Sequence, residues 1–474
     1  MLDTQGVIET FRHDVRGRLR KNGWTREGNK TCEYDRLRDE EKMKSKEDQT
    51  SSHGQVGWMS RLLGGEESRP CNRNCISRKP HPVGGELQFQ LVPVLFLMFL
   101  FLLNFLPRII LAPLLVTIEK ELHLGHQEVG VFFLLISSGY CFTLLLSGFV
   151  SSRLSHKTCI VLSTLAVGMA LLWISGSSTL KGMRLGLTVL GMAAGIYIPS
   201  GIATLTGLVN PKHLGKALAI HEMAPSLSFV VAPFLGEIFL RLWTWRGLLG
   251  FLGGCALTTG CVFAWVGRGG GFRGQPPSFG NLKFILTKRS FWFLLVLFSL
   301  AMGASVGVFT MMPLFLVSER GMDRGWANVF VALSRVLGLL AVLVAGQSVD
   351  RLGWRKTLMI FLLASGISTV LLGVVPGMAL ILFVFLQPML AVCFFPAGWV
   401  AIGLIGSAAI QNVSVSLIVS VAFVLGGGAV PAGIGFLGEQ GSFSLGFVLL
   451  GSLILLSAVL IRYLRGSEGT GERP

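Results

Sequence analysis

The sequence predicts an all-α polytopic membrane protein, with twelve transmembrane helices in two pseudo-symmetric six-helix bundles behind a largely disordered N-terminal tail. Three observations predict it. Of 474 residues, 51% are hydrophobic and only 14% charged, against about 25% charged where a globular surface faces water. From residue 89 onward, apolar runs follow one another across short polar gaps, each near the ~20 residues that a bilayer-crossing helix needs. The runs fall six and six about one longer gap, Arg268–Arg289, which holds Gly-Gly-Gly and Pro-Pro. Such a composition excludes a soluble enzyme, a disulfide-stapled secreted domain and a disordered regulator.

The tail comes first. Residues 1–90 hold 31 of the chain's 66 formal charges, mixed in sign. That composition buries too little apolar surface to offset the entropy of ordering. A disordered cytoplasmic tail is expected over 1–88, with at most a transient helix at Glu33–Lys46. Residues 1–20 lack the apolar core of a signal peptide, and starts near Met43 or Met59 are an alternative account of the tail. Cys71 and Cys75 flank Asn-Arg-Asn, but few side chains nearby could complete a zinc site. No metal or other cofactor is expected.

The twelve runs lie at 89–118, 129–150, 158–178, 184–208, 217–240, 246–267, 290–317, 326–348, 357–375, 378–405, 411–436 and 442–464. Hence 89–267 is the N-terminal bundle, 268–289 a central cytoplasmic loop, 290–464 the C-terminal bundle and 465–474 a cytoplasmic C-terminal tail. With the tail inside, the gaps after even-numbered runs carry twelve Lys/Arg and those after odd-numbered runs seven. Cytoplasmic loops are enriched in these residues, so both termini are expected inside. The short loops suggest the bacterial cytoplasmic (inner) membrane, and a monomer is expected. The net charge of +16 is explained by this topology. No nucleic-acid partner is expected, because no basic patch on a soluble fold is visible.

Internal repeats support a duplicated unit. Gly148-Phe-Val-Ser-Ser-Arg153-Leu-Ser-His156-Lys157 follows the second run, and Gly346-Gln-Ser-Val-Asp350-Arg351-Leu-Gly353-Trp-Arg355-Lys356 follows the eighth, 198 residues later. Phe234-Leu-Gly-Glu237 is echoed by Phe436-Leu-Gly-Glu439 at an offset of 202. Duplicated helical units organise many transporters. The second loop resembles the Gly-x-x-x-Asp-Arg-x-Gly-Arg-Arg/Lys motif of the major facilitator superfamily at Gly346, Asp350, Arg351, Gly353 and Arg355. Trp354 departs from it. The first copy is degraded, with Ser152 for Asp, Ser155 for Gly and His156 for Arg. Pro211–Ala217 and Ala232–Gly236 also resemble elements around that family's fifth helix. The resemblance covers roughly 89–464 and implies a transporter whose cytoplasmic loops gate it. The gating candidates are Arg153, Lys157, Gly346, Asp350, Arg351, Gly353, Arg355 and Lys356. Simple topogenic charge is the plainer account of the basic ones.

A charge near the bilayer centre costs ~2.5–3.5 kcal/mol even on a lenient scale, so polar residues within the runs are informative. Arg108 in the first run and Arg335 in the eighth are both deep. Two guanidinium groups, one in each half, could grip a carboxylate or phosphate by paired hydrogen bonds. Snorkelling or pairing with carbonyls is the alternative. Asn104, one turn before Arg108, is expected to share its face. Tyr197 and Gln387 are further candidate substrate contacts, with Asn412 beside them. Glu222 and His221 are the proton-coupling candidates, since low dielectric favours a neutral carboxyl and imidazole titrates near physiological pH. An ion pair holding a gate shut is the competing role for Glu222. For Glu237, pairing with Arg241 four residues on is expected.

The expected function is secondary active transport of a small organic or inorganic anion, by symport or antiport. Alternating access would be driven by a proton or counter-substrate gradient. The alternatives are a proton-coupled exporter of hydrophobic or cationic compounds, and a non-transporting membrane sensor. An enzyme is not expected, for want of a catalytic or nucleotide-binding constellation.

Overall fold

The computed structural model describes residues 87–274, 285–403 and 408–464. The expected tails, with Cys71 and Cys75, lie outside the described residues, as does the side chain of Asn412. Twelve helices are long and apolar enough to cross a membrane. The first half contains α1 (Leu91–Leu122), α2 (His126–Arg153), α3 (His156–Gly176), α4 (Leu180–Leu208), α5 (Pro211–Leu242) and α6 (Trp245–Val266). The second contains α7 (Arg289–Ser318), α8 (Arg324–Leu352), α9 (Trp354–Val374), α10 (Ala379–Ile402), α11 (Val413–Glu439) and α12 (Phe443–Tyr463). Polar caps start several of them. The side chains of Ser155, Thr179, Thr244, Asp323 and Ser442 each accept from the N–H three residues on, satisfying a donor that the first helical turn leaves free.

Three helices are interrupted where they approach the seam between the halves. α1 leaves the α-helix after Ile109 and resumes through a 3₁₀ turn at Ala112–Leu114, with Pro107 before the break and Pro113 inside the turn. Proline removes a ladder donor and crowds the preceding turn. α7 has a π-helical segment at Gly303–Gly307 and α11 another at Leu425–Ala429. A π-turn shifts the hydrogen-bond register locally and so re-aims carbonyls.

The seam joins α2 to α11 and α5 to α8. On the first of these contacts, a Cβ added at Gly130 would meet the Pro431 carbonyl oxygen at 2.8 Å, and one at Gly428 the Leu134 Cα at 3.0 Å. At Gly130 the helices would have to shift to admit a side chain, and at Gly428 the neighbours would have to give by a few tenths of an ångström.

At the end away from the loops that follow even-numbered helices (the far end), two clasps cross the seam. Glu237 of α5 is buried. It accepts from Arg241 Nε at 2.8 Å within its own helix, and across the seam from Asn328 Nδ2 at 3.3 Å and Arg324 Nη2 at 3.5 Å. Arg324 also donates to Thr117 Oγ1 at 3.3 Å, and Asn328 to the Pro113 carbonyl at 3.4 Å. The second clasp is Glu439 of α11, which accepts from the Gln127 N–H of α2 at 3.4 Å. Beside it, His126 lies 2.8 Å from Glu119 and its ring packs on Phe443 at 4.8 Å.

Candidate functional site

Arg108 ends the regular part of α1, and its side chain is 3% exposed. Its guanidinium carbon lies 4.3 Å from the Phe105 ring, 4.4 Å from Tyr140 of α2 and 5.2 Å from Phe423 of α11. Arg335 of α8 is 5% exposed. Its guanidinium carbon lies 4.7 Å from Phe229 of α5 and 4.8 Å from Phe309 of α7. Its Nη2 donates to the Ser305 carbonyl at 2.7 Å, inside the π-segment of α7. The Nε of Arg108 and the Nε and Nη1 of Arg335 are buried without a hydrogen-bond partner. Among the described residues, no carboxylate forms an ion pair with either arginine.

Phe105 and Phe229 stand between the two cations, their ring centroids 5.5 Å apart, and Phe229 meets Phe309 at 4.8 Å. Ring faces attract a cation by ~0.5–2 kcal/mol, which offsets only part of the burial cost of a charge in a membrane. Arg108 and Arg335 are thus two desolvated cations, one in each half, linked through the Phe105–Phe229 ring contact and each left with N–H groups that find no partner.

The other expected contacts do not join this pair. Asn104 is buried with its amide donating to Ser163 Oγ at 3.2 Å and to the Ala194 carbonyl at 3.3 Å. It binds α3 and α4, while Arg108 meets α2 and α11, so the two do not share partners. Gln387 of α10 donates to the Ala304 carbonyl at 2.9 Å and to Thr369 Oγ1 at 3.2 Å. It thus caps the carbonyl next to the one that Arg335 takes, supporting the same π-segment from behind. Tyr197 follows a break in α4 at Ile196, and its hydroxyl donates to the Leu97 carbonyl of α1 at 2.7 Å.

His221 Nε2 lies 3.2 Å from that hydroxyl, and Nδ1 lies 3.2 Å from Glu222 Oε1. Phe101 stacks on both the Tyr197 and the His221 rings. Both ring nitrogens of His221 are thus engaged, Nε2 at the Tyr197 hydroxyl and Nδ1 at the Glu222 carboxyl, with the donor at each set by the imidazole tautomer. The Glu222 side chain is 54% exposed and makes no ion pair with Arg335. It lies seven residues from Phe229, on the same stripe of α5.

The two loop copies differ. In the second, Gly353 adopts φ +79°, a conformation that favours glycine. Arg355 Nη2 donates to the Leu464 carbonyl at 2.6 Å, while Asp350, Arg351 and Lys356 are exposed. In the first, Ser155 has φ −68° and caps α3 instead. There a stretch of the central loop pairs with the chain. The N–H groups of His156 and Lys157 donate to the carbonyls of Phe272 at 3.0 Å and Gly270 at 2.8 Å, and Gly274 N–H donates to Ser151 at 2.9 Å. Phe272 packs edge-on to His156 at 4.9 Å. Among the described residues, no group of three or more His, Cys, Asp or Glu could hold a metal.

Sequence reasoning found Arg241 as the partner of Glu237 but missed the partners across the seam, Arg324 and Asn328, and the rings around the arginines. Phe105 alone carried a signal, three residues before Arg108.

Comparison with known proteins places this geometry. A family model described as Major Facilitator Superfamily matches residues 97–417. The chain is 22% identical over 226 residues to "Multidrug resistance protein MdtL" of Klebsiella pneumoniae (strain 342), covering 47% of this chain and 57% of that protein. It is 22% identical over 288 residues to "Probable L-galactonate transporter" of Escherichia coli (strain K12), covering 56% and 62%. The matched region is thus under two thirds of either relative's length. Among solved structures, a bacterial homolog of the human lysosomal transporter Spinster, inward-facing and occupied, superposes with TM-score 0.66 at 13% identity, covering 80% of this chain and 96% of that one. The nucleoside transporter NupG superposes with TM-score 0.67 at 15% identity, covering 78% and 99%. With the family model matching over most of the twelve-helix body, this chain belongs to the Major Facilitator Superfamily.

Proposed function

We propose that this transporter carries a small organic or inorganic anion between Arg108 and Arg335, by rocking of its halves, 89–267 and 290–464, about the seam. The observation that carries the reading is the pair of buried, carboxylate-free guanidinium groups with unused N–H donors. Placing them on different halves lets one anion bridge α1 and α8, so that ligand binding and closure are one event. The clasped far end and the exposure of Glu222 support a conformation whose site opens toward the opposite end. Loop charge supports that end, and both termini, being cytoplasmic, and minimal loops support a bacterial inner membrane. The His221–Glu222 contact, which joins a buried imidazole to an exposed carboxyl, supports proton coupling. Asp350 and its neighbours Arg351, Gly353 and Arg355, with Gly346 and Lys356, remain the gating candidates of the second half. In the first half, the paired central loop takes the place of a latch at Arg153 and Lys157.

The test is binding by thermal shift to the purified chain, using mono- and dicarboxylates, nitrate, sugar phosphates and lipophilic cations. Ligand at 100 times its Kd stabilises the folded state by ~2.7 kcal/mol. Arg108→Gln and Arg335→Gln are each expected to abolish the shift by the recognised anion. Undiminished binding by both variants sinks the reading. Glu222→Gln should retain binding and lose acid-driven uptake; pH-driven uptake at the wild-type rate removes Glu222 from coupling.

Export of hydrophobic compounds is the second reading, favoured by the likeness to a protein named for multidrug resistance and by the rings of the site. It predicts stabilisation by lipophilic cations that survives both arginine substitutions.

A further inference from the structure

A groove of about 380 Å³ lies between the start of α9 and the end of α12, lined by Arg355, Lys356, Met359, Ile360, Ile461 and Arg462. It belongs neither to the seam nor to the paired arginines. Its position is set by the helix ends. Lys356 is in the first turn of α9, and Arg462 is the last residue but one of α12, so both cations sit at a membrane boundary where lipid headgroups lie. The remaining walls are the apolar side chains of Met359, Ile360 and Ile461, with Ile360 49% exposed and Ile461 buried at the floor. Arg355 is held in place from one side, because its Nη2 is spent on the Leu464 carbonyl at 2.6 Å and its guanidinium carbon lies 5.2 Å from the Trp354 ring. Among the described residues no carboxylate pairs with any of the three cations.

We propose that this groove binds an anionic phospholipid, its headgroup phosphate held by Arg355, Lys356 and Arg462 and one acyl chain lying against Met359, Ile360 and Ile461. Charge complementarity names the headgroup. The apolar half of the lining names a lipid over a free phosphate, which would leave those side chains against water. Basic pockets between helices at a membrane surface hold acidic headgroups by this combination. The bound lipid would bridge the first turn of α9 to the last turn of α12, at the loop where the second half carries its Asp350 and Arg351.

The test is native mass spectrometry of the full chain, released from micelles holding equal amounts of phosphatidylglycerol and phosphatidylcholine. The wild-type protein is expected to retain the anionic lipid with on the order of 10-fold preference. The double variant Lys356→Gln/Arg462→Gln should lose that preference, while Lys356→Arg/Arg462→Lys keeps it. Equal retention of the two lipids by the wild-type chain overturns the proposal, as does a double variant that still prefers phosphatidylglycerol. Displacement of the lipid by millimolar inorganic phosphate overturns it in favour of a free-anion site. Should the double variant fail to fold, Ile360→Trp fills the groove and leaves all three charges in place. It is expected to lower retention of phosphatidylglycerol at least 3-fold, and full retention counts against the groove.

Discussion

The two copies of Phe-Leu-Gly-Glu end in carboxylates that do the same job unequally. Glu237 reaches from the first half into the second, where Arg324 and Asn328 meet it in a buried setting. Glu439 reaches from the second half into the first and finds one backbone N–H at 3.4 Å in an exposed setting. Each carboxylate thus reaches across the seam from its own half, while the buried, charged donors lie on one side only. A buried carboxylate with charged donors is far harder to leave unpaired than an exposed one. The far end is accordingly held mainly at α5–α8, and α2–α11 contributes close backbone contact in place of charge.

The largest expected effect is that of Glu237→Gln. It strips the negative charge from three donors and should cost the closed far end about 2 kcal/mol, roughly 30-fold in the ratio of closed to open molecules. Spin labels at Lys120 and Trp326, exposed on opposite halves at that end, should report a longer distance; an unchanged distribution removes Glu237 as the main clasp. Gly130→Ala comes next. Its new methyl would press on the Pro431 carbonyl, and about 1 kcal/mol against the closed arrangement is expected from overpacking, read by the same labels. Glu439→Gln should be the weakest, at about 0.5 kcal/mol or less, with a barely altered distance distribution. A Glu439 effect equal to that of Glu237 would mean that the clasps are energetically symmetric despite their geometry.

Much of the fold was legible because a bilayer demands long apolar runs, and these are hard to mistake in sequence. The helix starts at Ser155 and Thr244 follow from capping chemistry and could be read from residue type. The interruption in α7 could not, since a π-turn follows from packing against a neighbouring helix, whereas in α11 the run Gly426-Gly-Gly428 itself signals close backbone approach and a hinge. At the site, Arg108 and Arg335 stood out because charge within an apolar run is costly. Their surroundings were illegible. Phe229 and Phe423 look like any of the chain's 33 phenylalanines until α5 and α11 are set against the seam. Asn104 and Gln387 were identifiable as polar, but the direction each faces depends on helix rotation, and both turn into their own half. The pairing of Gly270 and Phe272 with the first loop left no trace in side-chain type, because it is made by backbone groups.

The π-segments of α7 and α11 touch each other through glycine. A Cβ at Gly307 would sit 2.7 Å from the Gly426 carbonyl oxygen, and one at Gly303 would lie 3.7 Å from the Gly426 Cα. Side chains close the crossing as well, since the Cβ at Gly307 would meet Val430 Cγ1 at 2.8 Å and one at Gly426 the Met302 Cβ at 2.6 Å. This tight packing begins one residue along α7 from the Ala304 carbonyl that Gln387 holds, beside the Ser305 carbonyl that Arg335 holds. Among the described residues the first half has no π-segment, and it is stacked instead through Phe101, Tyr197 and His221. A movement of α7 against α11 would therefore be felt at Arg335 directly, through the Ser305 carbonyl.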